Sequence, residues 1–213
     1  MDGKRGMRVR SLISVGFLCL GVGGCALAGL GGGESAPATF NIATPQITGV
    51  PSSRLASQVT VHLPSAIRAL DTDRILVTAP GGRISYFAGA AWGDRLPKLL
   101  QSRLVEAMQS SGAFRAVLTN QDRVDGEFAV TTEIRAFQLE VDNGSTAAVV
   151  GVFAKIMDER RGRVIATREF SARTPANKDD SAAGVAALQE SFNQVTSNLV
   201  RWVAAPRGGN SGA

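Results

Sequence analysis

The stretch from Gly126 to Thr174 restricts the fold more than any other part of the sequence. Gly126 to Val141 sets Phe128, Val130 and Ile134 on one parity and Phe137, Leu139 and Val141 on the other. Side chains alternate across a strand, so a change of parity needs an extra residue, and a bulge or bend is predicted near Arg135-Ala136. The turn Asp142-Asn143-Gly144 leads into Ala147 to Met157, where Val149, Val150, Val152, Phe153 and Ile156 make both faces apolar. That pattern marks a strand flanked on both sides. Asp158 to Gly162 turns the chain into Val164 to Thr174, with Val164, Ala166, Phe170 and Ala172 inward and Arg168 interrupting that face, as at an edge or rim.

A helix follows this meander. Val185, Leu188, Phe192, Val195, Leu199 and Trp202 are spaced 3-4-3-4-3, one apolar stripe from Ser181 to Ala204. Each such side chain contributes about 1.5–3 kcal/mol when fully covered, which favours packing on the sheet over the alternative of an oligomer seam. A second helix is predicted from Arg95 to Ser111, with Asp94 as cap, Pro97 in the first turn, Gly112 as stop, and Leu96, Leu99, Leu100, Leu104 and Met108 on one face. Before it, Val59, Val61 and Leu63 alternate with Thr60 and His62 until Pro64, and Arg74–Thr78 and Arg83–Phe87 flank a Pro80-Gly81-Gly82 turn, a hairpin. Phe114 to Leu118 reads as a strand. The fold class is α+β, a mostly antiparallel β-sheet with two amphipathic helices packed on one face. A single domain over 58–205 suits a chain of 213 residues, 44% of them apolar.

The amino terminus reads as an export signal, residues 1–24. Lys4, Arg5, Arg8 and Arg10 precede Ser11 to Gly24, which carries no charge. The apolar stretch closes on Val22-Gly23-Gly24-Cys25, which resembles the bacterial lipobox, with Cys25 as the site of lipid attachment and cleavage just before it. Two alternatives stand beside this: Ala26-Leu27-Ala28 would suit an ordinary signal peptidase, and Ser11 to Leu30 is long enough to span a bilayer uncleaved. All three put the folded part outside the inner membrane, since the basic flank stays cytoplasmic. Residues 25–57 read as the lipidated cysteine and a flexible tether, with one candidate short strand at Thr39–Ile42. Ala26 to Ala38 is thirteen residues, reaching about 45 Å extended and averaging about 20 Å as a coil. Residues 206–213 read as a disordered tail.

Charge and residue inventory exclude several functions. The chain carries +5, but four of its 23 Lys and Arg and one of its 18 Asp and Glu lie in residues 1–24, so the remainder carries only +2. That gives no electrostatic basis for binding nucleic acid. Cys19 leaves with the signal and Cys25 is acylated, leaving no thiol for a disulfide. His62 is the lone histidine, with no carboxylate near it in sequence, no nucleophile elbow and no phosphate-binding glycine loop. Asp71 with Asp73, or Asp179 with Asp180, sit in predicted loops as solvated turn residues rather than metal ligands. No catalytic, cofactor or metal site is predicted, and the chain is not read as an enzyme.

Ile84 to Pro97 is the most distinctive remaining segment. It holds Tyr86, the sole tyrosine, with Phe87 and Trp92, among small residues leading into a helix. These aromatics either fill the end of the core or offer a contact surface to a partner. The order of elements, together with Cys25, Phe40-Asn41-Ile42, Tyr86, Trp92 and Leu96-Pro97, resembles the auxiliary lipoproteins of ABC-type transport systems, the group that includes paraquat-inducible protein C. The resemblance implies a partner, the mammalian-cell-entry domain protein of an ABC transporter, in a system moving phospholipid or other hydrophobic molecules between inner and outer membranes. It also implies membrane attachment through fatty acids such as palmitate. Ala26 rather than Asp after the cysteine favours the outer membrane, facing the periplasm, over the inner one under the sorting rule of enteric bacteria. A homo-oligomer is open. An envelope assembly or structural lipoprotein binding outer-membrane components or cell wall is the alternative. Cys25→Ser is expected to remove the fatty acids and release the protein from the pelleted envelope. Unchanged mass and pelleting would contradict the lipid anchor.

Overall fold

The computed structural model describes residues 37–50, 55–124, 126–177 and 180–205. The signal segment, Cys25, the glycine run and the tail from 206 lie outside the described residues. Strand β7 (Phe128–Asp142) is the spine of a nine-stranded sheet. One of its edges pairs along its length with β8 (Ser145–Asp158), antiparallel, and β8 pairs in turn with β9 (Arg163–Pro175), also antiparallel. The other edge is shared by three short strands, all parallel to β7: β2 (Leu55–Val61) at its start, β3 (Ser65–Ala66) in the middle and β4 (Arg74–Ala79) near its end. β2 carries β6 (Phe114–Thr119) on its far side. β4 carries β5 (Arg83–Trp92) antiparallel, and β1 (Ala38–Phe40) lies parallel to the end of β5. The long pairings are thus antiparallel and the parallel ones short.

The parity change in β7 is a bulge, at the residues where the sequence places it. The register with β8 shifts between Ile134 and Ala136, so Arg135 is the extra residue. Val130 and Ile134 are buried before it and Phe137 and Leu139 after it. One inserted residue therefore keeps both apolar sets on the same face of the sheet. Gly151 stands opposite Ala136, and a Cβ there would lie 3.4 Å from the Ala136 methyl. A second shift, between Ile156 and Met157 of β8, turns Val164 outward. Val164 is half exposed instead of inward. Leu63, too, is exposed, because β2 ends at Val61 and the alternation does not continue past it.

Both helices lie on one face of the sheet. α1 (Leu96–Ser110) buries Leu96, Leu99, Leu100, Leu104 and Met108. Asp94 does not cap its first turn; the carboxylate accepts from the Arg95 N–H at 2.7 Å, and Arg95 occupies the cap position. The chain leaves α1 through Gly112 at φ 66°, a left-handed conformation suited to glycine. α2 (Ser181–Ala204) starts at Asp180, whose side chain accepts from the N–H groups of Ala182 and Ala183. Its stripe buries Leu188, Phe192, Val195 and Leu199, with Val185 and Trp202 at the margin. Trp92, Phe137 and Phe192 form a chain of edge-to-face rings with centroids 5.7 and 6.1 Å apart, which ties β5 to β7 and β7 to α2. Among the described residues no helix is long and apolar enough to cross a membrane.

The bulge can be tested directly. Arg135→Ala removes exposed ion pairs and a ring contact and is expected to cost about 1 kcal/mol in urea unfolding. Deleting Arg135 leaves Phe137 and Leu139 in regular alternation with Ile134, so cooperative unfolding should persist, whereas inserting one alanine after Ala136 puts two extra residues opposite β8 and should abolish it. An insertion variant that unfolds like the parent would contradict the role given to the bulge.

Candidate functional site

The first described residues form a strap across both helices. β1 adds to the edge of β5, and Ile42 is buried in the core, although this stretch was expected to belong to a flexible tether. Its composition, with Pro45 and Gly49, signals a loop, yet single side chains anchor it. The Ala43 backbone makes two hydrogen bonds with the Gln189 amide of α2, at 2.7 and 3.0 Å. The Thr44 hydroxyl donates to the Glu106 carboxylate of α1, and Arg103 bridges Glu106 and Asn41. The Thr44 hydroxyl, then Arg103 and Ser102, hold the Glu106 carboxyl below its ordinary value of 4.5.

The aromatic segment divides between core and surface. Trp92 is 3% exposed, its ring against Phe137. Tyr86 and Phe87 are half-buried at the margin of the core. The Tyr86 hydroxyl donates to the Ala69 carbonyl at 3.4 Å, and the Arg74 guanidinium lies 3.7 Å from the ring centre. Between Tyr86 and Ala91, β5 spends Phe87 to Ala90 against the single residue Ile75 of β4, a wide bulge with Gly89 at φ 68°. Beyond it, Asp71, Asp73, Asp94 and Arg95 line an open surface cleft of about 490 Å³, where Arg95 pairs with Asp71. Among the described residues no three side chains converge as metal ligands. Cys25 lies outside the described residues.

Two groupings were invisible in the sequence. His62 Nε2 lies 3.3 Å from the Glu159 carboxylate, which comes from the β8–β9 turn 97 residues away. Thr60 donates to the same carboxylate and accepts from the buried Gly126 N–H, so its hydroxyl is committed to structure. On the sheet face away from the helices, the bulged Arg135 lies 4.3 Å over the Phe153 ring and pairs with Glu133 and Glu169, so one guanidinium spans three strands.

The interior is filled. Between α1, α2 and the sheet, Leu100, Leu104, Ile134, Val152, Phe192 and Leu199 surround a cavity of about 20 Å³, roughly one water's worth of space. Sites that enclose a drug-sized or larger ligand take about 300–1,000 Å³. The larger cleft lined by Glu190, Asn193, Gln194, Ser197 and Arg201 is open and mostly polar. The cavity between the helices and the sheet therefore has no room for an acyl chain.

This packed sheet with two helices on one face, preceded by a surface strap, is the architecture of a known class of envelope proteins. Residues 40–200 match the family of ABC-type transport auxiliary lipoprotein components. The chain belongs to that family of transport auxiliaries. It is 32% identical over 181 residues to the uncharacterized protein bll6063 of Bradyrhizobium diazoefficiens, covering 83% of this chain. The chain spans about half, 48%, of that relative's length. Among solved structures it resembles protein XCC0632 of Xanthomonas campestris, with a TM-score of 0.73 and 26% identity over 78% of this chain and 94% of that one. A second, uncharacterized protein shares the fold at a TM-score of 0.59 and 15% identity, over 79% of this chain and 99% of that one.

The strap makes a pH prediction. A carboxyl depressed in the folded state contributes stability at neutral pH that is lost as pH falls through its folded value. Protection of the residue 41–44 amides, corrected for the intrinsic pH dependence of exchange, should therefore fall below the ordinary glutamate range. Glu106→Gln should speed that exchange at pH 7 and flatten its acid dependence; unchanged exchange in the variant would contradict the clasp.

Proposed function

We propose that this chain is a lipid-anchored auxiliary of an ABC-type transporter whose substrate-binding component is a mammalian-cell-entry domain protein, and that it works by docking rather than by carrying cargo. The family match over residues 40–200 is the observation that carries this reading. The system would move phospholipid or another hydrophobic molecule between inner and outer membranes. The lipoprotein stands at the outer membrane and faces the periplasm, as Ala26 after Cys25 favours.

Physical features support docking. Acyl chains on Cys25 contribute about 0.8 kcal/mol per buried methylene, and more than one chain suffices for stable attachment. The filled interior favours a role in contact over one in storage. Tyr86 and Phe87 on β5 are the proposed partner contacts, with Trp92 fixing the strand beneath them by its packing on Phe137. Half-buried aromatics on a fixed strand lose little conformational entropy on binding.

Mild crosslinking in cells followed by purification tests this. The expected products are a mammalian-cell-entry protein together with a permease and an ATPase, and Phe87→Ala should lower their yield about tenfold. Recovery of cell-wall or outer-membrane assembly proteins, with none of those three, would contradict it.

A further inference from the structure

Among the described residues β9 is the longest open edge of the sheet. It pairs with β8 on one side and with no described strand on the other, so a row of its backbone N–H and C=O groups faces outward. Only Phe170 on it is buried, and Val164 and Ile165 are 50% and 36% exposed. Native proteins blunt such edges with brevity, an internal proline, a cover or charge. β9 has thirteen residues and its one proline is the last, Pro175, so charge is what guards it.

The charges fall on two faces, and only one face is balanced. Away from the helices, Arg135 holds Glu169 at 3.2 Å and Glu140 holds Arg173. Arg163 and Arg168 lie on the helix side, in the row that includes Phe170, whose ring meets Trp202 of α2 at 5.6 Å. Arg168 lies over the Phe170 ring at 5.2 Å, and no described carboxylate pairs with it. Arg163 acts on Asp158 only through its field, because that carboxylate pairs with Arg161 at 2.9 Å. Ile165 is the extra residue where the register shifts, so Arg163 and Arg168 stand beside β8 residues four apart, Asp158 and Ala154, about 13 Å along the strand. Ala166 lies midway, beside Ile156.

Two unmatched cations on one rim select the strand that can add there. β9 carries three arginines and one glutamate, so two β9 edges brought together repel. An extended segment with two carboxylates on one face, four residues apart with an apolar residue midway, matches Arg163, Ala166 and Arg168 in register. We propose that the β9 edge is a strand-addition site for such an acidic segment of a partner protein. Backbone pairing along β9 gives the affinity, and the two arginines give the register. The site lies across β7 from Tyr86 and Phe87 and depends neither on those contacts nor on the lipid anchor.

The test uses the full chain in detergent and short fluorescent peptides of threonine and valine. One carries two glutamates four residues apart, the second carries them three apart and so on opposite faces, and the third has glutamine in their place. The four-spaced peptide should bind about tenfold more tightly than either control and should slow amide exchange along β9. Methylating its central backbone nitrogens should abolish binding. Arg168→Glu, or Arg163→Glu if that variant folds poorly, should weaken the four-spaced peptide about tenfold and favour its lysine counterpart. Equal binding of the three- and four-spaced peptides, binding that survives methylation, or no binding at all would overturn the site. Slow β9 exchange in the chain alone that dilution relieves would mean a second copy on the edge, and would overturn it as well.

Discussion

The single extra residue at Arg135 is the constraint on which the rest of the sheet depends. β7 is paired on both edges, to β8 along its length and to β2, β3 and β4 in succession. It must present Ile134 and Phe137 to one core although they have opposite parity. The bulge resolves this, and the same residue is turned onto the open face, where it covers Phe153 and joins Glu133 and Glu169. The sheet twists more strongly at such a point, and the two helices occupy the face where Phe137 meets Trp92 and Phe192.

A core filled in this way leaves function to the periphery. The interior void holds about one water, and the described surface clefts are polar or open. Membership of a family of transport auxiliaries then directs attention to attachment and contact. The strap at residues 37–50 is fixed to β5, α1 and α2 through β1, Glu106 and Gln189.

Much of this was legible in the sequence where the signal is local. The stripe from Val185 to Trp202 defines α2, and the parity of Phe128 to Val141 locates the bulge; the cap at Asp180 was read only as a solvated turn residue. The parallel pairings of β2, β3 and β4 on β7 were not legible, because each joins only two or three residues and depends on register set elsewhere. β3, two residues after Pro64, carries no periodicity at all. Thr39–Ile42 reads as a short strand, but four residues of alternation carry no signal that Ile42 enters the core. His62 with Glu159 required the β8–β9 turn to fold back 97 residues away. Trp92 and Tyr86 share parity in one strand, and the irregular pairing at Phe87–Ala90 separates the buried Trp92 from the half-buried Tyr86.

The central claim is that this domain docks and holds no lipid of its own. A diacylglyceryl thioether contains no phosphorus, whereas a bound phospholipid contains one atom per molecule. Phosphorus analysis of the acylated protein, purified from membranes and washed through delipidating detergent, separates the two. The account predicts no stoichiometric phosphorus; one phosphorus atom per chain, persisting through the wash, would contradict it.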